Sequence, residues 1–380
     1  MNIGIVCYPT YGGSGVVATE LGKALARRGH KIHFITYRQP ARLESFQENV
    51  FYHEVNFNNY PLFEYPPYET VLASKIVDVA RFEALDLMHV HYAIPHASAA
   101  YLAKQILAQG NHHLPVITTL HGTDITLVGK DPTFAPVVSF SINMSDGVTA
   151  VSESLRRDTQ EHFRIRRDIE VIPNFLDFDR FKKLDKDHFR KAIASQGEKI
   201  LVHVSNFRKV KRVGDVVKVF DRVRKEIPAK LLLIGDGPER QNVEQLCREL
   251  GTCDQISFLG KQEAVEEILA VSDLFLMPSE SESFGLAALE AMACGVPVIS
   301  TNTGGLPEVN IEGETGFMAD VGDVDHMTAK ALEILRNEEL LSKLRKGAMD
   351  QANRFSLDAV LPQYEAYYKQ VVAQSTQPVA

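Results

Sequence analysis

The sequence predicts an α/β protein built of two doubly wound domains. Short β-branched runs alternate with helical patterns along the whole chain, several of the runs are apolar without interruption, and the pattern restarts near Ile200. Alternation of this kind places helices on both faces of a parallel sheet. Uninterrupted apolar runs suit strands buried on both faces.

The expected strands of the first half are Ile3–Cys7, Lys31–Thr36, Val50–Val55, Leu87–His91, Val116–Leu120, Gly147–Val151 and Ile169–Ile172. Those of the second half are Ile200–Val204, Lys230–Ile234, Ile256–Leu259, Leu274–Met277, Val298–Ser300 and Gly316–Met318. Between the halves, Pro173 to about Phe181 (PNFLDFDRF) shows no clear periodicity and reads as a linker. The domains are then 1–172 and 199–360, with 173–198 as linker and first helix. A last helical pattern, Leu361 to Val372 within 361–380, follows the second unit and is expected to cross back onto the first. Two such domains facing each other form a cleft, and ligands bind outside the carboxyl ends of the strands.

Composition narrows the partners. Net charge is −8 and no run of five Lys or Arg occurs, which disfavours nonspecific nucleic-acid binding and a polybasic membrane anchor. The apolar stretches fall short of the ~20 residues of a membrane span. Met1 leads straight into a strand pattern with no signal-peptide flanks, so a cytoplasmic protein without stable membrane association is expected. The cysteines Cys7, Cys247, Cys253 and Cys294 form no CxxC pair or metal-like spacing and are expected to be reduced thiols. A homo-oligomer is neither required nor excluded.

Four loops after strands carry candidate chemistry. Tyr11-Gly12-Gly13-Ser14-Gly15 lies between the first strand and a helix beginning near Val16, where glycines allow close approach and the helix N-terminus favours an anion or sugar. Gly13-x-Gly15-x-x-Ala18 fits the loose dinucleotide fingerprint, yet the second strand ends Ile35-Thr36-Tyr37-Arg38 without the ribose-binding acid. No dinucleotide cofactor is expected. His121-Gly122-Thr123-Asp124 follows Val116–Leu120 and places a histidine at a strand's carboxyl end. His89, His91, His96, His112 and His113 have no carboxylate or cysteine cluster with them, so no metal site is expected.

The third loop, Asn206-Phe207-Arg208-Lys209-Val210-Lys211-Arg212, offers cations to a diphosphate. Charge develops on that group as a sugar leaves, so fixed cations favour the transition state. The fourth runs from Pro278 to Pro297. A helix from about Phe284 to Ala293 stops at Gly295, and its first N–H groups suit a phosphate. Glu282 and Glu290 are eight residues apart, about 12 Å along a helix at ~1.5 Å per residue. Glu290 interrupts an otherwise apolar stretch, Leu286 to Met292, and such a charge is usually paired or functional.

The Glu282/Glu290 spacing resembles the E-x₇-E motif of retaining glycosyltransferases with the GT-B fold, two facing Rossmann-like domains. The chain is most similar to glycosyltransferase family 4. The glycine loop, His121, the Lys211 loop, Gly235-Asp236-Gly237-Pro238 and Gly304-Gly305-Leu306-Pro307-Glu308 occur in that family's order.

The resemblance implies that Glu290 holds the UDP ribose and Glu282 the transferred sugar. Ser283, Phe284, Gly285 and Leu286 would bind the diphosphate with Lys211, and His121 would lie near the reacting sugar. Gly13, Gly15 and Gly235 complete the donor set. The family often carries Arg-x-x-x-x-Lys in the cation loop. Here Asn206 stands at the Arg position and Arg208 follows two residues later, so Arg208 is expected to take the diphosphate.

The opening from Asn2 to Val17 and the run His121 to Thr126 resemble the subgroup whose acceptor is malate, at the start of bacillithiol synthesis. This implies UDP-N-acetylglucosamine as donor, L-malate as acceptor and an α linkage, with Ser14, Gly15, Tyr92 and Thr123 as acceptor-side candidates. Other small or lipid acceptors, and UDP-N-acetylglucosamine epimerisation, are the alternatives. No amphipathic basic helix of the kind seen in lipid-directed relatives is found. Transfer is expected from the front face without a covalent intermediate, since no carboxylate pair near His121 has the ~5–5.5 Å spacing of a retaining hydrolase.

Overall fold

The computed structural model describes residues 1–10, 12–43, 46–57, 64–183 and 187–375. Tyr11 of the glycine loop, residues 184–186 of the expected linker and residues 376–380 at the end lie outside the described residues.

The chain forms two compact units, 1–175 with 357–380, and 176–356. The first holds β1 (Asn2–Val6), β2 (Lys31–Thr36), β3 (Val50–Glu54), β4 (Leu87–His91), β5 (Val116–Leu120), β6 (Gly147–Ala150) and β7 (Glu170–Val171), in sheet order β3-β2-β1-β4-β5-β6-β7. The second holds β8 (Lys199–Val204), β9 (Ala229–Ile234), β10 (Ile256–Gly260), β11 (Leu274–Met277), β12 (Val298–Thr301) and β13 (Gly316–Ala319), in order β10-β9-β8-β11-β12-β13. Every pairing between these strands is parallel, as at Ile3↔Ile32 and Ile3↔Leu87 around β1. Among the described residues these strands fall where the apolar runs predict them.

Both sheets are doubly wound, and the order reverses between β1 and β4 in one and between β8 and β11 in the other. A crevice opens beyond the strand ends at such a reversal because the flanking loops leave in opposite directions. β4 and β5 are buried along their whole length although they carry His89, His91, Thr118 and Thr119. Polar groups so placed must find hydrogen-bond partners.

Two expectations are corrected. Residues 176–198 belong to the second unit: Leu176 bridges to Ser356, Phe181 is buried, and Arg190 pairs with Asp273 at 2.7 Å. Their packing comes from contacts far along the sequence, which local periodicity cannot report. Cys247 and Cys253 are joined in a disulfide, because a helix end and the next turn bring their Cα atoms to 5.3 Å, within a disulfide's reach. Cys7 and Cys294 are free and buried.

The last helix, Leu357–Ser375, is longer than its sequence pattern predicts and belongs to the first unit. Tyr368 hydrogen-bonds His89 Nδ1 at 2.7 Å, and the Tyr367 hydroxyl accepts from the Val148 N–H and donates to its carbonyl. Among the described residues no helix is long and apolar enough to cross a membrane.

Candidate functional site

In the second unit the candidate residues gather at the carboxyl ends of β9, β8, β11 and β12. The loop after β8 begins on a buried histidine. His203 donates from Nδ1 to the Leu276 carbonyl and accepts at Nε2 from the Ser205 hydroxyl, both at 2.8 Å. The Ser205 oxygen in turn accepts from the Phe207 N–H at 3.3 Å. Phe207, at φ +38°, buries its ring and leaves Asn206 and Arg208 exposed.

The loop's cations divide by partner. Arg212 is committed to Asp215 at 2.6 Å, and Lys211 pairs with Glu282. Among the described residues Arg208 makes no ion pair. The Glu280 N–H donates to the Val210 carbonyl at 2.7 Å and ties this loop to the one after β11.

Glycines hold the neighbouring loops close. A Cβ on Gly235 (φ +115°) would stand 1.8 Å from the Ser205 carbonyl oxygen, and one on Gly304 (φ +58°) 1.9 Å from that of Glu282. Gly235 therefore has a packing reason to be glycine. The Gly305 N–H donates to the Glu282 carbonyl at 2.9 Å.

The helix after β11 is Leu286–Ala293, with Gly285 at φ +98° as its N-cap. Gly285 brings no side-chain acceptor, so the first N–H groups are available to an anion. This corrects the helical spacing expected for the two glutamates: Glu290 lies on the helix, Glu282 in the loop before it, and a helical rise does not relate them.

In the first unit the loops after β1, β4 and β5 meet beside the β1–β4 reversal. Gly13–Arg27 is helical, with Gly12 as N-cap and Gly13 exposed. A Cβ on Gly15 would approach the Tyr8 and Thr10 carbonyl oxygens to 2.4 and 2.5 Å. Ser14 Oγ and the Tyr92 hydroxyl are hydrogen-bonded at 2.7 Å, and Thr123 lies close enough to Tyr92 to interact with it. The Tyr92 ring lies 5.2 Å from that of His121. Ser14, Tyr92, Thr123 and His121, chosen from three separate loops, are thus brought together.

The His121 imidazole sits on a buried frame. Its Nε2 is 2.8 Å from His91 Nδ1, and His96 Nδ1 donates to the His91 carbonyl at 2.5 Å. Burial pushes His121 and His89 to about 3 and His96 to about 4, so these rings are neutral at neutral pH. Asp124, buried, accepts from the N–H groups of Ala93 (2.9 Å), Gly122 (3.0 Å) and His121 (3.3 Å). Burial raises its carboxyl to about 6 against those three bonds. Among the described residues one trio, His33, His53 and Glu83, has ligand-type atoms within 4.8 Å of one another, on β2, β3 and a helix end, and its two imidazoles hydrogen-bond at 3.0 Å.

Residues 11–180 match the family model described as Glycosyltransferase Family 4, and residues 185–351 match Glycosyl transferases group 1. A protein of Bacillus anthracis named N-acetyl-alpha-D-glucosaminyl L-malate synthase is 50% identical over 374 residues, 98% of this chain and 97% of that one. The chain belongs to glycosyltransferase family 4.

A D-inositol 3-phosphate glycosyltransferase of Mycolicibacterium smegmatis is 26% identical over 97% of this chain and 89% of its own. Among solved structures, HepE of Anabaena with UDP and glucose aligns at TM-score 0.83 and 20% identity, covering 97% of this chain and 99% of that one. Sucrose-phosphate synthase of Thermosynechococcus elongatus aligns at TM-score 0.80 and 20% identity, covering 98% and 100%. The fold of this family-4 glycosyltransferase is GT-B, with two parallel-sheet Rossmann-like domains.

Sequence reasoning missed the groups behind the site. His91, His96, Asp124 and His203 hydrogen-bond neighbouring strand and loop groups, and Tyr368 reaches His89 from 279 residues away. The available signal was a polar residue in an apolar strand, as at His89, His91 and His203.

Proposed function

We propose that this glycosyltransferase moves N-acetylglucosamine from UDP-N-acetylglucosamine to the hydroxyl of L-malate and retains the α configuration. The observation that carries the substrates is the 50% identity, over 98% of the chain, to a protein named for that product. The geometry of the second unit supports the chemistry. Arg208, Lys211 and the N–H groups from Gly285 onward take the diphosphate, with Ser283, Phe284, Leu286, Asn206 and Gly235 shaping the pocket. Glu290 accepts the ribose hydroxyls and Glu282 those of the sugar.

In the first unit Ser14, Gly15, Tyr92 and Thr123 hold the acceptor beside His121, with Gly13 at the open helix start. As the bond from the anomeric carbon to the diphosphate breaks, negative charge collects on the leaving oxygen. The fixed positive groups favour that state. The leaving oxygen takes the proton of the attacking hydroxyl, so no enzyme base and no covalent intermediate is required. Positive charge comes from side chains and a helix end, so activity is expected to withstand excess EDTA.

The test is UDP release from UDP-N-acetylglucosamine in EDTA, with and without L-malate, with product mass and anomeric coupling. Malate-dependent release and an α-linked glucosaminyl malate are expected. Release indifferent to malate would favour epimerisation or another acceptor, and complete loss in EDTA would sink the metal-independent mechanism.

A further inference from the structure

We propose that His91 is a positioning residue that fixes the tautomer of His121, so that His121 presents Nδ1–H, a hydrogen-bond donor, to the ligand. The starting observation is the contact of two imidazoles at 2.8 Å, His91 Nδ1 to His121 Nε2. One proton lies between two nitrogens, and both rings are neutral: burial takes His91 well below the ordinary histidine range and His121 to about 3. Two arrangements are then available.

In the first, His121 Nε2–H donates to His91 Nδ1. The remaining proton of His91 must then sit on Nε2. That nitrogen is fully buried and has no partner among the described residues. An N–H group sealed away from any acceptor is among the rarest features of folded proteins. In the second, His91 Nδ1–H donates to His121 Nε2, and His91 Nε2 carries only a lone pair. This leaves no donor unsatisfied, and the structure favours it.

The consequence is transmitted to the other edge of His121. With Nε2 accepting, the proton of a neutral imidazole must lie on Nδ1. His121 Nδ1 has no hydrogen-bond partner among the described residues, and the ring is half-buried, beside Tyr92 at 5.2 Å. The His121 backbone is held as well, since its N–H donates to Asp124. His91 cannot swing to another role, because its own carbonyl accepts from His96 and β4 clamps it against β5 at His91↔Thr119. The group that His121 meets must therefore be an acceptor: a hydroxyl or carbonyl oxygen of the sugar or acceptor, not an N–H or a cation.

The effect on rate rests on the reading of His121 as part of the transferase site, while the tautomer does not. The first experiment therefore needs no substrate. Long-range ¹H–¹⁵N correlation on ¹⁵N-histidine-labelled protein, with His121 assigned through His121→Asn, reports which ring nitrogen is protonated. The expected pattern is a pyrrole-type Nδ1 and a pyridine-type Nε2. The opposite pattern, or rapid averaging of the two, overturns the proposal.

The second experiment compares His91→Asn, whose side-chain amide can donate from nearly the place of Nδ1, with His91→Phe, which cannot donate. With UDP-N-acetylglucosamine and L-malate, His91→Phe is expected to lower kcat by on the order of tenfold or more, by analogy with the loss of a partner that orients a metal-ligating imidazole. His91→Asn is expected to restore most of it. Equal losses in the two variants, both folded by circular dichroism, would overturn the positioning role. The expected tautomer in a protein with no transferase activity on any donor would count against the functional reading and leave the tautomer standing.

Discussion

Two residues carry opposite kinds of commitment. Lys211 is already paired with Glu282, both side chains being mostly buried, so a diphosphate bound as proposed would share the ammonium with that carboxylate. On the proposed mechanism Lys211→Ala removes a positive charge where leaving-group charge develops. A loss of roughly 10²–10³ in kcat is expected, as for other preorganised charge-stabilising donors. Steady-state kinetics in which only the donor KM rises would instead make Lys211 a uniform binder. Asp124 makes no ion pair among the described residues and does its work through backbone, gathering N–H groups from the loops after β4 and β5. Asp124→Asn keeps one acceptor oxygen and turns an NH₂ toward a backbone donor. A loss of about 1–3 kcal/mol is expected from that unsatisfied contact, read from urea unfolding near neutral pH. An unchanged midpoint would mean that relief from burying a charged carboxylate offsets the lost bond.

At the scale of elements, glycines separate loops that must approach from loops that merely turn. Gly304→Ala would drive a Cβ into the Glu282 carbonyl at a φ that L residues avoid. The loop bearing Glu282 must shift, and a drop in kcat/KM with a lowered Tm is expected. Gly214, in the helix Val213–Arg224, meets only Leu246 at an ordinary 3.6 Å, so Gly214→Ala should be neutral or stabilise by about 0.5–1 kcal/mol. Equal thermal shifts in the two would refute the close-approach argument. The strands were legible because buried parallel strands write themselves as apolar runs bounded by turn residues. The helix start was less so: Gly285 at positive φ delays it to Leu286 and leaves Glu282 in the loop, a backbone matter that residue spacing cannot reveal. The frame behind His121 was illegible for another reason. A buried histidine's partner is chosen by tertiary contact, and His91 and His121 are 30 residues apart.

For the whole molecule, buried histidines in both units make stability a function of pH. His89 is held at about 3, and His96 and His203 at about 4, all by burial and all below the ordinary ~6.5 of an unfolded chain. A group whose folded pKa is lowered contributes stability fully above its unfolded value and loses it as pH falls. At pH 5 the unfolded chain has taken up these protons and the folded one has not. The cost is about 2 kcal/mol per histidine relative to pH 7, and it is greater in the first unit, where His121 and His33 are also lowered, to about 3 and about 4, than in the second, which holds His203. Asp124 runs the other way. Its folded value of about 6 lies above the unfolded one, so its contribution is present at low pH and lost as pH rises through 6. It returns only about 1 kcal/mol between pH 7 and 5. The histidines therefore win, and the urea midpoint should fall steeply between pH 6.5 and 5, further for the first unit than for the second. The chain has no Trp, so far-ultraviolet circular dichroism and tyrosine fluorescence are the probes. Restoring a charged-compatible partner cannot mimic this effect, but removing a histidine can. His203→Gln, which keeps an acceptor for Ser205, should flatten the acid limb of the second unit alone. A midpoint independent of pH from 7 to 5 in the native protein would mean that these rings are protonated when folded, and the neutral hydrogen-bond frame assigned around His121 would have to be redrawn.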